Sequence, residues 1–176
     1  WLIQSLLPVQ GDPALRPPKL HHIASSAAPQ LSGKDSHISG DEQIAPFFPE
    51  YAPFIAANGG KMVMVPADTE AFQVHLDQVE QRITPHTQAI IVNSPNNPSG
   101  VVYTEETLRG LAALLERKSS QYGHPIYIIA DEPYRELVYG GVKVPFIPNL
   151  YKNTIVCYSY SKSLSLPGER IGYVYV

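Results

Sequence analysis

The sequence predicts an α/β domain with a mostly parallel sheet flanked by helices. Three observations carry this prediction. Short, nearly all-apolar runs recur, among them QAIIV at 88–92, PIYIIA at 125–130 and TIVCY at 154–158, the texture of parallel strands covered on both faces. Amphipathic stretches of helical period lie between such runs, as βαβ units require. A polar cluster follows each of the three runs, and open α/β sheets bind ligands beyond the carboxyl ends of their strands.

Composition agrees. A chain of 176 residues is one ordinary domain, and 44 % hydrophobic against 16 % charged residues is enough to bury a core. A net charge of −3 leaves no electrostatic footprint for nucleic acid or an anionic membrane. One Cys excludes an internal disulfide framework and leaves too few thiols for a zinc ribbon. The six His are scattered apart from His21-His22, so no metal-binding spacing is present. No apolar run approaches the roughly 18 residues of a membrane span. Trp1 to Leu7 lacks the basic start and small-residue cleavage site of a signal peptide. The expectation is a soluble, reduced, cytoplasmic chain with no metal, nucleic acid or membrane partner.

Taken in order, residues 1–40 hold five prolines and a Ser/Ala/Gly stretch with no sustained period, and read as an irregular segment. The folded domain then occupies 41–176. Pro49 to Asn58 predicts a short helix stopped by Gly59-Gly60. Lys61 to Val65 reads as a strand, Leu76 to Ile83 as an amphipathic helix, and Gln88 to Val92 as a central strand. Thr104 caps a helix running to about Lys118, with apolar residues at 108, 111, 112, 114 and 115 on one face. Pro125 to Ala130, Thr154 to Tyr158 and Ile171 to Val176 complete the strands, with no internal repeat. Cys157 reads as a small buried hydrophobe, and the late tyrosines (151, 158, 160, 173, 175) as strand packing.

Three clusters carry chemistry. Asn93 to Gly100 (NSPNNPSG) has the residues of a turn, but it sits where an Asn amide can also donate to a ligand oxygen. Asp131-Glu132 ends a buried run. In a P-loop ATPase such an Asp helps hold Mg²⁺, yet that reading needs a G-x-x-x-x-G-K-[ST] loop, and neither Gly33-Lys34 nor Gly60-Lys61 belongs to one. The other reading is a carboxylate that pairs with a buried cation, with Tyr134 reaching the same place. In Ser159 to Arg170 a Lys follows an apolar run, flanked by hydroxyls and trailed by an Arg. An isolated Lys is usually solvated. Here an amine able to form a Schiff base and a guanidinium able to grip phosphate suggest an aldehyde-plus-phosphate cofactor.

The segments SPNNPSG, ADEPY and SYSKSLSLPGERIG resemble the large domain of the fold-type-I, pyridoxal-phosphate-dependent class I/II aminotransferases, in order and in spacing: Asn97, Asp131 at +34, Lys162 at +31 and Arg170 at +8. The lysine segment is the most specific. The resemblance runs from about Gly40 to Val176 and implies residue roles. Lys162 would bind pyridoxal 5'-phosphate as a Schiff base and shuttle the substrate's Cα proton. Asp131 would pair with the pyridinium nitrogen, so that the ring works as an electron sink. Asn97 and Tyr134 would hydrogen-bond the phenolic oxygen, and Ser159 and Arg170 would bind the phosphate. Phe48 falls where the family stacks an aromatic on the ring, with plain core packing as the alternative.

The same resemblance implies transfer of an amino group from an amino acid to a 2-oxo acid, in a homodimer of the full-length parent. Family members are longer. The small-residue phosphate loop has no recognisable counterpart in 1–40, where the Ala/Ser stretch 24–28 is not followed by the expected helix, and the small C-terminal domain that grips the substrate carboxylate is absent. The expectation is a truncated large domain. Its alternative function is that of a catalytically incomplete remnant that binds pyridoxal phosphate, or serves as an association module, without turnover. A nucleotide-binding domain using Asp131-Glu132 with Mg²⁺ is the rival from another class.

Overall fold

The computed structural model describes residues 41–66, 68 and 70–176. The sequence's irregular segment 1–40, including the Ala/Ser stretch, lies outside the described residues. Six strands form one sheet: β1 (Asp41–Ile44), β2 (Met62–Val65), β3 (Ala89–Asn93), β4 (Tyr127–Asp131), β5 (Thr154–Ser159) and β6 (Gly172–Tyr175), in the order β2-β1-β3-β4-β5-β6. Every pairing is parallel except β5 with β6. Helices α1 (Tyr51–Ala57), α2 (Leu76–Arg82), α3 (Glu105–Tyr122) and α4 (Tyr160–Ser163) occupy the connections. This is the mostly parallel, helix-flanked α/β architecture that the alternating texture predicts.

Local chemistry explains the elements. The Thr104 hydroxyl accepts the Thr107 N–H and caps α3. The buried stripe of α3 is Leu108, Leu111, Ala112, Leu114 and Leu115, the five positions the helical period selects. Gly123 ends the helix at a left-handed φ of 76°, which a residue without Cβ adopts freely. All five residues of β3 are buried, as expected for a central strand. One cluster packs α2, α3 and the Ile147–Asn149 turn on one face of the sheet. A smaller one packs Tyr51 and Ile55 of α1 over Ile91, Ile129 and Cys157 on the other.

Two elements depart from the sequence reading. β1 has no hydrophobic run, since its residues are DEQI; it becomes a strand because β2 and β3 both pair with it. α4 is a single turn, too short to leave a period. The late tyrosines also divide. Tyr151 and Tyr158 are core residues, whereas Tyr173 and Tyr175 are 45 % and 51 % exposed on the alternate positions of β6. Tyr173 still stacks on Tyr158, with ring centroids 4.9 Å apart.

Candidate functional site

Parallel pairing puts the carboxyl ends of the strands at one edge. Register aligns Asn93 with Asp131 and Asp131 with Cys157, so the three polar clusters of the sequence leave the sheet side by side. The loop after β3 uses two of its asparagines internally. Asn93 donates from Nδ2 to the Asp131 carbonyl at 2.9 Å and accepts the Asn97 N–H at 2.7 Å. Asn96 donates to the Pro46 carbonyl at 3.1 Å and accepts from the Ser99 N–H and hydroxyl. The turn reading therefore holds for these two residues. The Asn97 side chain, half-buried, has no hydrogen bond among the described residues.

Asp131 is the last residue of β4, where its carboxyl meets α1 from across the sheet. Tyr51, only 1 % exposed, donates its hydroxyl to Asp131 Oδ2 at 2.5 Å. Burial pushes the Asp131 carboxyl above the usual carboxylate range, and the Tyr51 donor works against that rise. Burial and the neighbouring Asp131 charge hold Tyr51 far above the ordinary phenol, so it remains the donor. No cation is paired with Asp131 among the described residues. A buried acid with one donor and no counter-charge is suited to a cationic group brought against it. Sequence reasoning missed Tyr51 as a site residue. Its signal is its place three residues after Phe48, at the start of a helix covering the end of β4.

The loop after β5 supplies the amine. Ser159 caps α4 by accepting the Ser161 N–H at 3.1 Å, with the two hydroxyls 2.7 Å apart. The Lys162 ammonium lies 5.7 Å from the centroid of the Tyr134 ring, so the structure brings these two predicted residues together. Both Lys162 and Arg170 are exposed and take part in no ion pair among the described residues. Arg170 donates only to the Pro167 carbonyl, at 3.4 Å, and has a left-handed φ of 54°, uncommon for a residue with a Cβ. Ser159 pairs with Gly172, two residues beyond Arg170, which sets both at the same sheet edge. No hydrogen bond joins them. Phe48 packs edge-on against Tyr51 at 5.8 Å and borders the smaller core cluster, while remaining half-exposed.

The donor set fits pyridoxal phosphate: an unpaired amine, an unpaired guanidinium, a free Asn amide and a desolvated acid held by one phenol. Among the described residues no group of three His, Cys, Asp or Glu is placed to hold a metal ion. No helix there is long and apolar enough to cross a membrane.

Comparison with known proteins points the same way. An amino transferase from Eubacterium rectale superposes with a TM-score of 0.77 at 62 % identity, covering 81 % of this chain and 36 % of that one. The aromatic-amino-acid aminotransferase 2 of Thermococcus litoralis is 33 % identical over 151 residues, 82 % of this chain and 37 % of that protein. The aspartate aminotransferase of Geobacillus stearothermophilus is 38 % identical over 141 residues, 76 % and 34 % of the two chains. The chain thus spans little more than a third of these relatives. The profile of the family described as aminotransferase class I and II matches residues 41–176, which takes in the whole sheet and all three polar clusters, and to that family, whose members use pyridoxal phosphate, this chain belongs.

Proposed function

We propose that residues 41–176 are the cofactor-binding part of an aminotransferase, which moves an amino group between an amino acid and a 2-oxo acid. The observation that supports this most is the meeting of Lys162 with Tyr134 at the same sheet edge as the Tyr51–Asp131 pair. When bound, pyridoxal phosphate supplies an aldehyde that receives the amino group and a ring that withdraws electrons. Lys162 would hold that group covalently through Nζ and carry the proton moved at the substrate's Cα. Asp131, whose ionised form the Tyr51 hydroxyl favours against burial, would hold the proton on the ring nitrogen. Asn97 and Tyr134 would donate to the ring oxygen, and Ser159 and Arg170 would bind the phosphate. Phe48 would cover one face of the ring.

The relatives include aspartate, aromatic-amino-acid, aspartate/prephenate and N-acetyl-LL-diaminopimelate aminotransferases, so the substrate class we propose is an α-amino acid of unspecified side chain. The whole protein, on this reading, works as a homodimer.

The test is to add pyridoxal phosphate to the purified chain, reduce with borohydride and map the modified peptide by mass spectrometry. Labelling confined to Lys162 is expected. Scattered labelling, or labelling that persists unchanged in Lys162→Ala, would overturn the assignment. In a separate, unreduced sample, loss of the bound chromophore's colour on adding amino acids separates amino-group transfer from binding alone.

A further inference from the structure

Three tyrosines meet behind the Lys162 turn, and one of them is tied to two different segments. Tyr158 lies on β5, buried, with its hydroxyl 2.7 Å from Glu136 Oε2 and 2.7 Å from Ser163 Oγ. A phenol has one proton. The arrangement that satisfies both contacts has Tyr158 donating to the Glu136 carboxylate and the Ser163 hydroxyl donating to Tyr158. Stacking on Tyr173 at 4.9 Å and edge contact with Tyr160 at 5.3 Å hold the ring in place.

The two partners sit on the two turns that matter. Glu136 belongs to the turn after β4, two residues from Tyr134, and that turn is closed by the Leu137 N–H donating to the Tyr134 carbonyl at 2.8 Å. Ser163 is the residue after Lys162 and the last of α4. We propose that Tyr158 is a positioning residue, which clamps the turn carrying Tyr134 to the turn carrying Lys162 through Glu136 and Ser163. The inference rests on the function proposed above. Lys162 is an exposed residue on a one-turn helix, and such a helix has little stability of its own. Without an external tie its amine would sample many positions relative to the Tyr134 ring. Burial and the Glu136 carboxylate raise the Tyr158 hydroxyl above the ordinary phenol, which keeps its proton available for the clamp.

The test measures where pyridoxal phosphate attaches under borohydride trapping, as the ratio of Lys162 to all other lysines, together with the visible circular dichroism of the bound chromophore. In Tyr158→Phe the ratio should fall about tenfold, the equivalent of one hydrogen bond to a charged group, and the dichroism should fade with it. Ser163→Ala should move both in the same direction. Glu136→Gln keeps an acceptor but loses its charge and should fall between the parent and Tyr158→Phe, whereas Glu136→Ala should behave like Tyr158→Phe. If Tyr158→Phe does not fold, Ser163→Ala at its half-buried position decides the matter by the same ratio. A parent chain that labels at Lys162, with variants that melt lower but keep its ratio and dichroism, overturns the clamp and leaves the functional reading standing. A parent chain with no preference for Lys162 overturns both.

Discussion

Replacing Tyr51 by Phe removes one hydroxyl from a position that is 1 % exposed, and with it the 2.5 Å hydrogen bond to Asp131. A bond of this kind to an ionised acceptor contributes about 1.5–3 kcal/mol, whereas a neutral pair contributes about 0.5–1.5 kcal/mol. The loss should therefore depend on pH. Burial raises the folded-state pKa of Asp131 above that of the unfolded chain, so between the two values the folded chain binds more protons. Stability contributed by this group is present below the unfolded pKa and declines as pH rises through the folded one. Removing the Tyr51 donor leaves the carboxylate unsupported, so the decline should be steeper and continue to higher pH in the variant. Tyr151→Phe is the control. Tyr151 is equally buried but donates at 2.6 Å to the Ile126 carbonyl, an acceptor that does not titrate. Urea unfolding of the cofactor-free chain from about pH 4 to about pH 8, followed by circular dichroism, spans the range in which a raised carboxylate titrates. Tyr51→Phe should cost about 1 kcal/mol more at the upper end than at the lower, and Tyr151→Phe the same at both. A Tyr51→Phe penalty as flat as that of Tyr151→Phe would refute the argument that Tyr51 supports a charged Asp131.

Other perturbations follow from the same geometry. Arg135 donates to Glu132 Oε2 at 2.8 Å and to the Val144 and Pro145 carbonyls, and Glu132 is 2 % exposed; Arg135→Ala should destabilise the chain by about 3 kcal/mol at neutral pH. That penalty should shrink on acidification, because burial already raises Glu132 and losing its cation raises it further, as a urea series across pH would show. Leu111→Ala, in the fully buried stripe of α3, should lower stability by about 2–5 kcal/mol, read from the denaturation midpoint. Thr104→Ala removes the α3 cap at about 1 kcal/mol, with Thr104→Ser restoring most of it. Cys157 is buried, and its thiol is pushed up to about 12 by burial and by the Asp131 charge, so it should resist thiol reagents at neutral pH until the chain is unfolded.

The legible parts of the site were those with a local signature. Lys162 between hydroxyls, Arg170 eight residues on, and Asp131 at the end of PIYIIA all stand in the sequence as unusual residues in an ordered place. Asn97 was singled out only by the resemblance of SPNNPSG to the family's motif; residue type and surroundings alone do not separate it from Asn93 and Asn96. Folding does, because Asn93 and Asn96 are consumed in holding the loop to β4 and to Pro46 while Asn97 is not. Strand β1 was illegible for a related reason: its four residues carry no period, and pairing on both sides makes it a strand.

The sequence by itself determined the α/β class, the central strands, the capped amphipathic α3 and the order of the chemical clusters. Each of these depends on periods and neighbours within a few residues, and such patterns are written along the chain. Only the tertiary structure decided that Tyr51 holds Asp131 across 80 residues, that Lys162 lies against Tyr134, and that Tyr158 joins their two turns. Those contacts exist because parallel pairing brings distant strand ends to one edge, where side chains are chosen by proximity in space and leave no spacing in the sequence to read.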